Sequence, residues 1–207
     1  MPTPRESPAR RKVGRPGGGE DVRAAILAAA VHQLEATGRP DRVTVATIVH
    51  EAGCTPPSLY HYWPKRELLL REASARGWAQ FRASLTEAVT DLHDPMERLR
   101  LRGRAYLGFA LARPALFRVL FLEPPATGPT QPPAETGEAL RDLVTDVTAA
   151  MATGALRPAD PLTTALTVWS AVHGVAALWA VTPNLPTDLA HAVGDLAQEA
   201  VLKGLAT

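Results

Sequence analysis

The chain has one cysteine, Cys54, in 207 residues. That excludes an internal disulfide and any zinc cage built from cysteines. Lysine is scarce, with only Lys12, Lys65 and Lys203, so arginine carries most of the positive charge; such a bias fits a GC-rich genome and says nothing about activity. No run of about 18 apolar residues appears, and no membrane span is expected. The basic start, MPTPRESPARRKVGRPGGG, has no apolar stretch behind it and does not read as a secretory signal. The six histidines (His32, His50, His61, His93, His173 and His191) form no ligand-spaced cluster, and HExxH, a Gly-rich phosphate loop and GxSxG are all missing. The expectation is a cytoplasmic protein with no catalytic residue, no metal and no cofactor.

What is there suffices for a folded core: 46% of the residues are hydrophobic. The net charge of +1 hides a gradient. Residues 1–82 carry 13 Lys+Arg against 8 Asp+Glu, a balance of +5, and residues 83–207 carry 9 against 13, a balance of −4. A local positive field of this kind suits phosphate binding, with a solvated mixed surface as the competing reading.

The most informative stretch is TVATIVHEAGCTPPSLYHYWPKRELLL, from Thr44 to Leu70. Thr44 is placed to cap a helix whose apolar face is Val45, Ile48, Val49 and Ala52. Gly53 supplies a sharp turn, Cys54 packs into the angle, and Thr55–Trp63 makes a second helix of about two turns. This is the layout of a helix-turn-helix, whose second helix enters the DNA major groove. Pro57 biases Pro56 away from helical dihedrals, which predicts a helix starting one residue late, at Pro57.

Around this motif the periodicity predicts helices over Glu20–Ala36, Lys65–Leu92, Met96–Ala112, Pro114–Leu122, Thr136–Thr153, Asp160–Val181 and Thr187–Leu205. The prolines of Glu123–Glu135 forbid regular structure there. No alternating strand pattern appears. The chain is expected to be all-α, with about nine helices in three parts: a disordered basic arm (1–19), a helix-turn-helix domain (20–66) and a C-terminal domain (67–207).

The run AGCTPPSLYHYWPKRELLL resembles the TetR family of bacterial transcriptional regulators. It carries Gly53, Cys54, Thr55, Ser58-Leu59-Tyr60, the aromatic pair Tyr62-Trp63 and Arg66-Glu67-Leu68-Leu69-Leu70. Two positions depart from the family pattern: Trp63 stands for the usual phenylalanine and Arg66 for the usual lysine. Further on, Trp169, His173 and Gly174 resemble a Trp…His-Gly signature of one subgroup of C-terminal domains. The resemblance implies a homodimeric, ligand-responsive repressor on a palindromic stretch of double-stranded DNA, without a membrane. The alternatives are a helical small-molecule-binding protein or enzyme that keeps the fold without DNA function, and a nonspecific architectural DNA binder.

Tyr60, Arg66 and Thr44 are the expected phosphate contacts, because helix N-termini favour anions and Tyr60 offers a hydroxyl. Base reading falls to Thr55, Pro56, Ser58, His61 and Tyr62. These positions lack arginine, asparagine and glutamine, so the strongest bidentate base contacts are missing and shape must carry much of the specificity. Arg10, Arg11 and Lys12 precede a Gly14-Arg15-Pro16 core, whose Arg15 suits a minor-groove arm; a solvated leader is the equal alternative.

In the C-terminal part, Trp78, Tyr106, Phe109, Phe117, Phe121, Trp169 and His173 are candidates to line a ligand cavity, against the alternative of an ordinary core. The last two helices carry Val168, Val172, Val175 and Trp179, then Leu189, Val193, Leu196, Ala200 and Val201, the candidate four-helix dimer interface.

Overall fold

A computed structural model describes residues 19–124, 134–182 and 184–207. Helix boundaries follow local chemistry. Thr44 and Thr47 form a reciprocal cap, each accepting from the other's backbone N–H at 3.2 Å, and start α2 (Val45–Ala52). Gly53 ends it at φ 64°, a left-handed conformation that only glycine adopts without strain. Asp94 caps α5 (Pro95–Ala112) by accepting from Met96 N–H at 3.0 Å, and Asp160 caps α8 (Pro161–Val181) by accepting from Thr163 N–H at 2.7 Å. Proline takes the first position of α3 (Pro56–Tyr62), α5, α6 (Pro114–Phe117) and α8, where its missing N–H costs nothing. The second helix of the motif thus begins at Pro56, not Pro57: Thr55, the residue before Pro56, is extended, whereas Pro56 is helical in spite of the Pro57 that follows it.

The other elements are α1 (Gly19–Thr37), a 3-10 turn (Pro40–Arg42), α4 (Arg66–Glu87), a π turn (Arg118–Leu122) continuing α6, α7 (Ala134–Ala152) and α9 (Thr187–Leu205). The described residues hold no strand, only one antiparallel bridge between Leu156 and Ala206. Helix α4 stops five residues before the expected end at Leu92. The following turns close with short-range backbone bonds, and Arg98 of α5 donates from Nη1 to the carbonyls of Val89 at 3.0 Å and Leu92 at 3.1 Å. A side chain from the next helix replaces the partners that a longer α4 would have supplied.

Three apolar cores follow the chain. The first joins α1, α2, α3 and the start of α4 through Ile26, Leu27, Leu34, Ile48, Leu59 and Trp63, and runs past Arg66 to Leu69, Leu70 and Ala73. It also takes in Val119 of the π turn. The second holds Trp78, Phe81, Leu85, Tyr106, Phe117 and Val172. The third holds Leu99, Val147, Leu156, Val168 and Leu202. One helix, α4, therefore contributes to both the first and the second core. Helix α8 is long and apolar enough to cross a bilayer, with 33% of its most apolar window buried. It is apolar on more than one side because one stripe packs inside the chain while Leu162, Leu166, Leu178 and Val181 point out.

Candidate DNA-binding face and ligand cavity

Helix α3 is held from behind. Leu59 is fully buried in the first core. Trp63 donates its indole N–H to Glu72 at 2.8 Å. Arg23 lies 4.9 Å over the Trp63 ring and donates to both Glu72 oxygens at 2.6 and 2.8 Å. Tyr62 donates its hydroxyl to the Gly19 carbonyl at 2.7 Å. These contacts tie α3 to α1 and α4 and decide which side chains face out. Thr55, Pro56, Pro57, Tyr60 and His61 are exposed, and Ser58 is half-buried, sharing a 3.0 Å hydrogen bond with Thr55. Thr44 is exposed beside them at the start of α2, and Lys65 at the start of α4. The outward face is thus short, polar and nearly free of formal charge.

Two candidates are turned elsewhere. Tyr62 is half-buried and its hydroxyl is committed to Gly19, so it positions α3 instead of reading bases. Arg66 donates from Nε to the Val43 carbonyl at 2.6 Å and from Nη2 to the Pro40 carbonyl. Its guanidinium binds the carbonyls at the start of the 3-10 turn and just after it, Pro40 also accepting from the Val43 N–H at 3.3 Å; the side chain is thereby committed to the fold as a cap. Arg10, Arg11, Lys12 and Arg15 lie outside the described residues.

In the C-terminal part a cavity of about 60 Å³ opens between α4, α5, α7, α8 and α9. Trp78, Phe81 and Leu85 form its α4 wall, Tyr106 its α5 wall, Phe121 of the π turn and Trp169 of α8 its aromatic sides. Of the seven expected residues, Trp78, Tyr106, Phe121 and Trp169 line it. Phe109, Phe117 and His173 do not; they pack behind the lining, with Phe117 fully buried and its ring 4.8 Å from that of Phe121. His173 supports the wall indirectly, 2.6 Å from the Tyr106 hydroxyl through Nδ1. Burial pushes the Tyr106 phenol up and the His173 imidazole down. At neutral pH the imidazole is therefore uncharged and shares one hydrogen bond with the Tyr106 hydroxyl, its tautomer setting which of the two donates.

The same walls hold a buried charge cluster. Asp146 accepts from Arg98 Nε at 2.8 Å and from Arg102 Nε at 2.7 Å. Arg102 lines the cavity at 5% exposure. Gln198, also in the lining, donates to the Leu99 carbonyl at 2.8 Å.

The dimer candidates divide. Val168, Val172 and Val175 are buried in this chain's own cores and are not on an outer face. Trp179 and Val193 are half-buried against the second core, with the Trp179 indole donating to the Pro186 carbonyl at 3.2 Å. Leu189, Leu196 and Ala200 do face out, together with Leu162, Leu166, Leu178 and Val181.

Comparison with known proteins decides the family. The model described as bacterial regulatory proteins, tetR family, matches residues 26–73, and the model described as tetracyclin repressor-like, C-terminal domain, matches residues 99–201. The chain belongs to the TetR family. No curated protein matches significantly. Among solved structures, it is similar to a Rhodococcus sp. RHA1 protein of unknown function, at 27% identity over 96% of this chain and 100% of that one, with TM-score 0.76. It shares the fold of FadR from Bacillus subtilis in complex with stearoyl-CoA, at 18% identity over 88% and 99%, TM-score 0.72. It also shares the fold of AibR in complex with isovaleryl coenzyme A and operator DNA, at 22% identity over 90% and 98%, TM-score 0.63. The description of the C-terminal model names no Trp-His-Gly signature.

Within this TetR chain, the N-terminal match ends at Ala73, the last residue that α4 contributes to the first core. The sequence reading did not anticipate Leu99, Arg102 and Gln198 in the cavity wall. A signal for Arg102 existed: it sits three residues after Leu99 and four before Tyr106, a charge inside an apolar helical stripe. Gln198 interrupts the stripe of Ala190, Gly194 and Leu202 in the same way.

Proposed function

We propose that the chain is a homodimeric, cytoplasmic transcriptional repressor that reads a palindromic operator with α3 and is released when a small apolar or aromatic molecule occupies the C-terminal cavity. The observation that carries this reading is α4 itself. Leu69, Leu70 and Ala73 anchor it in the core that supports α3, and Trp78, Phe81 and Leu85 form a wall of the cavity one to four turns later. An apolar cavity of about 150 Å³ accepts benzene, so a cavity of about 60 Å³ must grow to take an effector. Growth displaces a wall, and displacing the α4 wall moves the α3 support. The effector must bind the displaced form better, since only differential affinity shifts the equilibrium.

The outward apolar side chains of α8 and α9 support a dimer, and two α3 helices on a two-fold axis suit half-sites about 34–36 Å apart. The names of two fold relatives speak of acyl-CoA ligands and of operator DNA; both functions are compatible with this reading, which needs no catalysis. A footprint on DNA flanking the chain's own gene tests it. Protection of a palindrome, relieved by a small apolar molecule, is the expected outcome; no protected site would end the proposal. The competing reading, a helical binding protein without DNA function, predicts no salt-dependent retention on DNA.

A further inference from the structure

Asp146 is shared by two guanidiniums. With side chains 3% exposed for Asp146, 6% for Arg102 and 27% for Arg98, the cluster carries a net charge of +1 inside the fold. Arg98 completes its bonding on Asp146 and on the Val89 and Leu92 carbonyls. Arg102 does not. Its Nε and Nη2 face Asp146, both at 2.7 Å, while Nη1 is buried and has no hydrogen-bond partner among the described residues.

A buried, charged N–H donor without an acceptor is costly, and native folds rarely keep one without a use. Here the side chain that carries it is part of the wall of a mostly apolar cavity, with Nη1 covered until that wall gives way. The other polar side chains of the wall are already engaged: Tyr106 with His173, and Gln198 with the Leu99 carbonyl. The nearby charges on α7 are also matched, with Glu138 and Asp142 paired to Arg82 of α4 and Glu138 also near Arg141. The excess positive charge is therefore local to Arg102.

We propose that the cavity binds an apolar carboxylic acid as its anion, with the carboxylate on Nη1 of Arg102 and the hydrocarbon body among Trp78, Phe81, Phe121 and Trp169. A carboxylate supplies the missing acceptor and cancels the net charge, whereas an amide or alcohol of the same shape supplies an acceptor only. The inference rests on reading this cavity as the effector site.

The test is calorimetric titration of the full chain with phenylacetate and hexanoate, each against its own primary amide. Each acid is expected to bind at least tenfold more tightly than its amide. Arg102→Gln, which leaves Asp146 paired with Arg98, should remove the advantage of each acid over its amide. Equal binding of acid and amide by the natural chain overturns the proposal, and so does failure of both acids to bind; neither outcome requires the variant to fold. Acid preference that survives in Arg102→Gln overturns it as well. The footprint separates this from the functional reading. A protected operator without acid preference removes only the carboxylate, and acid preference without a protected operator removes only the repressor.

Discussion

Gly38 and Ala115 touch across the junction between the DNA-binding helices and the C-terminal part: a Cβ placed on Gly38, at φ +61°, would lie 3.2 Å from the Cα of Ala115. Around this contact Val119 inserts into the first core, Arg113 pairs with Glu35 at 3.6 Å, and Arg39 pairs with Glu123 at 3.7 Å. The segment from α6 through the π turn is therefore a second connection, beside α4, between cavity and α3. Phe121 of that segment lines the cavity and Val119, two residues earlier, sits in the α3 support.

Gly38→Ala is expected to destabilise the chain by about 1–2 kcal/mol, the cost of a side chain in the left-handed region. It should also push Ala115 away and alter how far effector binding shifts operator affinity. Urea unfolding reads the first effect, and operator titration with and without effector the second. Unchanged stability would mean that the junction yields freely.

Arg66→Met separates a structural arginine from a phosphate anchor. Losing charge-assisted bonds to the Val43 and Pro40 carbonyls should cost about 1.5–3 kcal/mol of stability. The slope of log affinity for DNA against log salt should stay the same. A phosphate anchor would instead lower that slope by about 1 with little loss of stability.

The behaviour of Arg66 shows where sequence reading reached its limit. The motif identified α3 and its exposed Thr55, Tyr60 and His61, because Leu59 at the centre of a short amphipathic helix leaves only one way for it to face. It did not show that Arg66 and Tyr62 turn inward, since their partners, the carbonyls of Pro40, Val43 and Gly19, are backbone atoms brought close only by the tertiary fold. Thr44 and Gly53 were legible as helix ends because their chemistry is local. The end of α4 was not, because the group that closes its terminal turns is Arg98 of another helix. In α8 the difficulty was different. A helix apolar on several sides gives periodicity no stripe to prefer, so Val168, Val172 and Val175 read as interface although they are core, and Leu162 and Leu166 went unnoticed.

That division makes a paired prediction. Leu196, 72% exposed on α9, contacts little within its own chain. Leu196→Glu should leave the folded chain within about 0.5 kcal/mol of its original stability but abolish dimers in sedimentation and, with them, the footprint. Val175→Glu puts a carboxylate into the second core outside the cavity lining and should prevent folding altogether. A dimer that survives Leu196→Glu, and a double change with Leu189→Glu, would place the interface elsewhere.

The Tyr106–His173 pair gives the cavity wall a pH dependence. Burial lowers the folded-state pKa of His173 from its ordinary 6.5, so the unfolded chain takes up the proton first as pH falls. Stability from this group is complete above about pH 6.5 and declines as the pH drops from there toward the lower folded value, because the unfolded state then binds more protons. Protonation also adds a positive charge behind the wall, where burial disfavours it. The thermal unfolding temperature should therefore fall between pH 7 and pH 5.5. His173→Gln, which keeps a polar group but cannot titrate, should flatten part of that decline, while Tyr106→Phe should lower stability by about 1 kcal/mol at pH 7 and leave the His173 titration in place. An identical pH profile in the natural chain and in His173→Gln would show that the imidazole keeps its ordinary proton affinity and that the wall does not sense pH through it.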